Sequence, residues 1–146
     1  MTVIIDANII ISALINPNGK EAACIFDYAD KVDFVAPDLI FREVQSKKNK
    51  IISNTHLTGS SFEQSLELIA TTFSVYDVAQ YNPDILKVAG QLTYSIDEKD
   101  TQYIALTILL EGLLWTGDLK LLRGLKRKGF NQIITTPDFQ QILKGL

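Results

Sequence analysis

Residues 2–14 read TVIIDANIIISAL, and this stretch decides the fold. Val3, Ile4 and Ile5 form a β-branched run, the pattern of a strand buried on both faces. The run stops at Asp6. Asn8 follows two residues later, and Ile9 to Leu14 is mostly apolar again. A carboxylate at the C-terminal end of a buried parallel strand sits where open α/β sheets place their ligands. Taken alone, Asp6 also fits a turn or helix cap. Three further acids, Glu43, Asp100 and Asp118, are placed to reach the same rim, and they favour the functional reading.

Working outward, a short helix is predicted over residues 8–15, stopped by Asn16-Pro17-Asn18-Gly19. Lys20 to Asp30 reads as a helix with Ala23, Phe26 and Asp27 on one side, and Asp33 to Ala36 as a second strand. Pro37-Asp38 opens the next helix: Pro suits the first turn and Asp the positive end of the dipole. That helix carries Leu39, Ile40, Glu43 and Val44. At about 100° per residue Glu43 falls within the arc of the three apolar residues, where an acid is costly without a partner. Ser46 to Gly59 reads as a polar loop holding Lys47, Lys48, Lys50 and a solvated His56. Ser60 or Ser61 caps a helix from Phe62 to Phe73. Val75 to Val78 is a third strand, and Pro83 starts another helix.

The segment DEKDTQYIALTILLEG at 97–112 places Asp97, Asp100, Ile104, Thr107 and Ile108 on one helical face. Two carboxylates at i, i+3 of a helix start gain from the dipole and from free backbone N–H groups. For Asp97, capping explains the position equally well. Leu113 to Thr116 is a fourth strand that ends at Gly117-Asp118, repeating the strand-then-acid plan of Asp6. Leu119 to Lys128 is a helix ended by Gly129, Ile133 to Thr136 a fifth strand, and Pro137 to Leu143 the last helix. Strands alternating with helices imply a parallel sheet with helices on both faces. The expected architecture is a three-layer α/β/α sandwich around a parallel sheet of about four to five strands. No linker or repeat is visible, so residues 1–146 are expected to form a single domain.

Composition narrows the function classes. The net charge of −3 argues against a general polyanion binder, though a local basic patch can still meet nucleic acid. The one cysteine, Cys24, sits among Ala22, Ala23, Ile25 and Phe26 and reads as a buried structural thiol. No internal disulfide can form, which fits a reducing compartment. The N-terminus lacks a basic region, and the apolar stretch from Tyr103 to Trp115 is too short to span a bilayer. The expectation is a soluble, cytoplasmic protein without a membrane partner.

Four acids on one rim would repel one another at neutral pH unless some hold protons or a cation lies among them. All-oxygen donors select hard divalent ions such as Mg²⁺ or Mn²⁺. Zinc is disfavoured by a chain with one His and one Cys. A Mg²⁺ held by few carboxylates keeps water and has room for a phosphate oxygen, the arrangement for metal-assisted phosphodiester hydrolysis. In that scheme Asp6, Asp100 and Asp118 bind the metal, and Glu43 orients or deprotonates the water or helps hold a second ion.

These pieces resemble the PIN domain family. The matching segments are IIDANIIISAL at 4–14, PDLIFREV at 37–44, DEKDTQYIALTILLEG at 97–112 and LLWTGDLKLL at 113–122, which span nearly the whole chain in order. The resemblance implies that Asp6, Glu43, Asp100 and Asp118 are the acidic quartet that binds Mg²⁺ or Mn²⁺. Asp97 assists as a further metal-side acid, while Asn8 and Thr116 orient the carboxylates or touch the metal water. It implies cleavage of single-stranded RNA to 5′-phosphate and 3′-hydroxyl ends, often by the toxin of a VapC-type toxin–antitoxin pair. An antitoxin protein and a homodimer are the partners expected on that basis.

RNA binding needs positive charge. Lys120, Arg123, Lys126, Arg127 and Lys128 follow Asp118 directly, and Arg42, Lys47, Lys48 and Lys50 flank Glu43. Both clusters lie beside the proposed site and can track a phosphate backbone; a solvated helix face would look the same in sequence. Two rivals remain. One is an inactive RNA- or protein-binding module of this fold. The other is a phospho-acceptor receiver domain, which wants an acid pair after strand one and a lysine after the last strand. Here a single Asp6 and the run Thr135-Thr136-Pro137 stand there. A Walker-type hydrolase is excluded by the missing glycine-rich phosphate loop.

Overall fold

Val3, Ile4 and Ile5 are fully buried and form the middle strand of a five-stranded parallel sheet. A computed structural model of the chain describes residues 1–77 and 80–146. In chain order the elements are β1 (Thr2–Ile5), α1 (Ala7–Ile15), α2 (Lys20–Asp27), β2 (Asp33–Pro37), α3 (Leu39–Ser46), α4 (Lys48–Ser53), α5 (Gly59–Ala70) and β3 (Phe73–Tyr76). Then come α6 (Pro83–Thr93), a 3₁₀ turn (Glu98–Asp100), α7 (Thr101–Leu110), β4 (Leu113–Trp115), α8 (Leu119–Arg127), β5 (Ile133–Ile134) and α9 (Thr136–Leu143).

The strand order is β3-β2-β1-β4-β5. From β1 the chain winds outward to β2 and β3, then returns to place β4 on the other side of β1. The crevice beyond the C-terminal ends of β1 and β4 is therefore the topological switch point, where open α/β sheets bind ligands. In register, Ile5 lies beside Trp115 and Ile4 beside both Val35 and Leu114. Gly112 enters β4 so close to β1 that a Cβ there would lie 2.8 Å from the Thr2 carbonyl oxygen. Any side chain would push the two central strands apart.

Helix α7 packs on β1, β2 and β4 and against α6. Its residues Tyr103 to Thr107 are all buried, so it has no outer face over that stretch. Trp115 is fully buried, packs against Phe34 and Phe139, and donates from Nε1 to Thr136 Oγ1 at 3.0 Å. Among the described residues no helix is long and apolar enough to cross a membrane.

Several local expectations are corrected. The segment from Ser46 to Gly59 is not all loop: it contains α4, whose Ile51 is buried in the core. Lys48 at its start pairs with Glu63 of α5 at 2.7 Å. Propensity alone could not reveal this helix, because one buried isoleucine anchors it. Helix α5 starts at Gly59, with Thr58 as the cap in a reciprocal box with Ser61. Helix α2 ends at Asp27 and buries Ala22, Cys24 and Ile25, leaving Ala23, Phe26 and Asp27 exposed. The third strand begins two residues earlier than its apolar pattern suggests, at Phe73; the Val78 end of that expectation lies outside the described residues. Thr136 belongs to α9 and not to β5, because Thr135 and Asp138 form a capping box there.

Candidate active site

Strands β1 and β4 end side by side, and each leads to an acid. The Asp6 N–H still donates to the Trp115 carbonyl at 3.1 Å, so Asp6 stays within the sheet layer and is only 5% exposed. Its Oδ2 accepts from Thr116 Oγ1 at 2.6 Å and from Asn8 Nδ2 at 3.1 Å. Asn8 Nδ2 also reaches Thr116 Oγ1 at 3.2 Å, and Asn8 Oδ1 accepts from the Gly117 N–H at 3.0 Å. Thr116, fully buried, accepts in turn from the Asp118 N–H at 3.0 Å. Asn8 and Thr116 thus tie the two strand ends together and restrict one oxygen of Asp6. Asp118 caps α8, its Oδ1 accepting from the Leu121 N–H at 3.1 Å.

Glu43 arrives from α3, half-buried, and accepts a 2.8 Å hydrogen bond from the hydroxyl of Tyr103. This is the partner that an acid on an apolar stripe requires. Sequence reasoning misses Tyr103. The available signal is its place one turn after Asp100 in an otherwise apolar run, where a buried tyrosine hydroxyl needs an acceptor. Asp100 ends the 3₁₀ turn and is buried. Asp97 precedes that turn as its cap, accepting from the Lys99 N–H at 3.0 Å. The spacing predicts Asp97 and Asp100 on one helical face, but both precede α7, which begins only at Thr101.

All five acids line one open pocket of about 390 Å³, together with Asn8, Arg42, Lys47 and Lys99. Their electrostatics is that of crowded carboxylates. Burial raises the Asp100 pKa to about 8, reinforced by the charges of Asp6, Asp97, Asp118 and Glu43. Burial also pushes Asp6 up, against the pull of the Thr116 hydrogen bond. Glu43 is raised by burial, with Tyr103 opposing and Asp6 adding to the rise. Tyr103 is pushed far above the ordinary phenol value by burial beside Glu43, so its hydroxyl keeps its proton and acts as the donor.

Among the described residues no three acidic, His or Cys side chains form a ready-made metal cage. The donor set nevertheless fits a hard divalent cation: it is all oxygen, and Asp6 and Asp100 are buried without an ion-pair partner among the described residues. An open set of carboxylates suits Mg²⁺ or Mn²⁺, which keep part of their water shell, better than it suits zinc.

The basic residues after Asp118 are separated by the fold. Lys120, Arg123 and Arg127 line a cleft with Ser95 and Ile96. Lys126 is exposed outside that cleft. Lys128 is engaged structurally: its Nζ donates to the carbonyls of Leu92 at 2.8 Å and Tyr94 at 2.6 Å, at the end of α6.

A five-stranded parallel sheet with carboxylates gathered at its switch point defines an α/β protein with an acidic ligand site there. The family model of the PIN domain matches residues 4–137, and the chain belongs to that family. The fold is similar to that of PAE2754 from Pyrobaculum aerophilum, at 15% identity and a TM-score of 0.69, with 100% of both chains covered. It is also similar to VapBC2 from Rickettsia felis, crystallised with a DNA fragment from their promoter. There identity is 14% and the TM-score 0.59, covering 92% of this chain and 97% of that one. A comparison with curated protein sequences gave no significant match.

Proposed function

We propose that this protein is a Mg²⁺- or Mn²⁺-dependent endoribonuclease acting on single-stranded RNA. The observation that carries the reading is the meeting of Asp6, Glu43, Asp97, Asp100 and Asp118 in one pocket at the switch point. Burial and mutual repulsion there hold Asp100 near a pKa of about 8. Such a cluster gains from a cation, and family membership supports a nuclease.

Asp6, Asp100 and Asp118, with Asp97 beside them, are the residues that would hold the ion. When bound, it would acidify water and offset charge on the phosphoryl oxygens. Asn8 and Thr116 keep the Asp6 carboxylate turned to one position. Glu43, oriented by Tyr103 and with a raised proton affinity, takes a proton from the attacking water. The water oxygen bonds to phosphorus as the bond to the 3′-oxygen breaks. That oxygen takes a proton from solvent, leaving a 3′-hydroxyl and a 5′-phosphate.

The likeness to VapBC2 supports a toxin role with an antitoxin partner, and a homodimer in the cytoplasm completes the proposed setting. The test is cleavage of a labelled single-stranded RNA with Mg²⁺, with Mn²⁺ and with chelator. Cleavage that needs the ion and yields 5′-phosphate ends is expected. Binding without cleavage under every condition would replace this reading with that of an inactive binding module.

A further inference from the structure

Three of the cations on α8 stand together in a cleft without any acid. Lys120, Arg123 and Arg127 follow i, i+3, i+7 spacing, which puts them in one stripe on the helix. The facing wall is Ser95 and Ile96, and the cleft encloses about 270 Å³. None of the three cations makes an ion pair among the described residues. Like charges held side by side raise the energy of the free protein, and an anion seated between them removes that cost.

The opposite wall is built to stay close. Ile96 lies against Gly124 of α8 so tightly that a Cβ there would sit 2.6 Å from Ile96 Cδ1. Ser95 adopts a left-handed backbone, φ 66°, which is uncommon for serine. Lys128 holds the same wall from behind, through its bonds to the carbonyls of Leu92 and Tyr94. The wall leads straight into Asp97 and Asp100, and the helix leads back to Asp118. Along the chain, both sides of the cleft therefore run within two residues into acids of the acidic pocket, Asp97 on one side and Asp118 on the other.

We infer that this cleft is a phosphate-binding subsite that takes the backbone of single-stranded RNA as it leaves the acidic pocket. The inference rests on the nuclease reading for the identity of the strand. From Lys120 to Arg127 the helix advances about 10 Å, roughly the rise of three stacked nucleotides. The three cations so spaced meet successive phosphates without reading bases. Lys126 and Lys128, adjacent in sequence, take no part.

The test is the salt dependence of RNA affinity. Binding of a labelled single-stranded oligonucleotide is followed by anisotropy in chelator, across a salt series. The proteins are the wild type, the triple variant Lys120→Gln/Arg123→Gln/Arg127→Gln, and Lys126→Gln. Matching melting temperatures verify that the variants fold. With about 0.7 of slope per phosphate contact, the triple variant should lose about 2 from the log–log slope. Lys126→Gln should leave the slope nearly unchanged. An unchanged slope in the triple variant, an equal loss per charge in Lys126→Gln, or no RNA binding by the wild type overturns the subsite. Cleavage of the same RNA with Mn²⁺ is scored separately. Cleavage with an unchanged slope removes the subsite alone, whereas a lost slope without wild-type cleavage removes the nuclease reading alone.

Discussion

Ile5-Asp6-Ala7 and Trp115-Thr116-Gly117-Asp118 repeat one plan, a buried strand that runs through an acid into a helix, yet the two acids end in different states. Asp6 follows its strand directly, stays in the backbone ladder and is buried, with its carboxylate held by Thr116 and Asn8. It stands at the N-cap position of α1 but makes no side-chain cap. Asp118 is set two residues further out, is only partly buried and caps α8. Two residues of offset separate an acid that must be neutralised from one that water and backbone N–H groups already serve. Despite similar sequence contexts, the two acids are therefore expected to respond unequally to substitution.

The sharpest way to break this comparison is activity. Asp6→Asn should lower metal-dependent cleavage by about 10³-fold or more, the scale of removing a central electrostatic group from a preorganised site, while the protein remains folded. Full activity in folded Asp6→Asn would remove the assignment. Asp118→Asn should also be inactive, so the two acids must be separated by stability.

Asparagine caps about as well as aspartate, and Asp118→Asn removes one charge from the crowd. In chelator it should melt at or above the wild-type temperature. Mn²⁺ at a hundredfold excess over Kd should stabilise the wild type by about 2.7 kcal/mol, and Asp118→Asn by much less. Equal Mn²⁺ shifts in the two proteins would show that Asp118 serves only as a cap.

Thr116 links the two acids, so Thr116→Val tests whether they form one unit. It deprives Asp6 of its shortest hydrogen bond and the Asp118 N–H of its acceptor, in a fully buried place. A loss of about 1–3 kcal/mol is expected by denaturant melting. A loss no larger than that of an exposed threonine would mean the network is slack.

The smallest expected difference between the two acids lies in the pH dependence of stability in chelator. Folded Asp100 holds its proton up to about pH 8, whereas an ordinary carboxyl releases it near 3.8. Between those values the folded chain binds more protons than the unfolded one, so stability falls as pH rises. Melting should be higher at about pH 5.5 than at pH 8. Asp6 acts on Asp100 more strongly than Asp118 does. Asp6→Asn should therefore flatten the trend more than Asp118→Asn, and the reverse order would contradict the burial difference between them.

Much of the site is legible in the order of the residues. Acids at strand ends and helix starts are marked by abrupt changes in a local apolar pattern, as at Asp6, Asp100 and Asp118, and Glu43 is marked as an acid on the apolar stripe of α3. The partner of Glu43 is not legible, because Tyr103 lies sixty residues away and periodicity records burial, not who meets whom. Nor is α4, where a polar segment is made helical by one buried isoleucine.

By itself the sequence determined the alternation of strands and helices, the parallel sheet and the places where carboxylates interrupt apolar runs. These are properties of neighbouring residues, written in periods of 2 and 3.6. Only the tertiary structure decided the strand order that brings β1 beside β4. It also decided which acid is buried, and which of five neighbouring cations share a cleft while one is bound to the end of α6. Those outcomes depend on contacts between distant segments, and their energies come from desolvation and charge proximity, which exist only once the chain is packed.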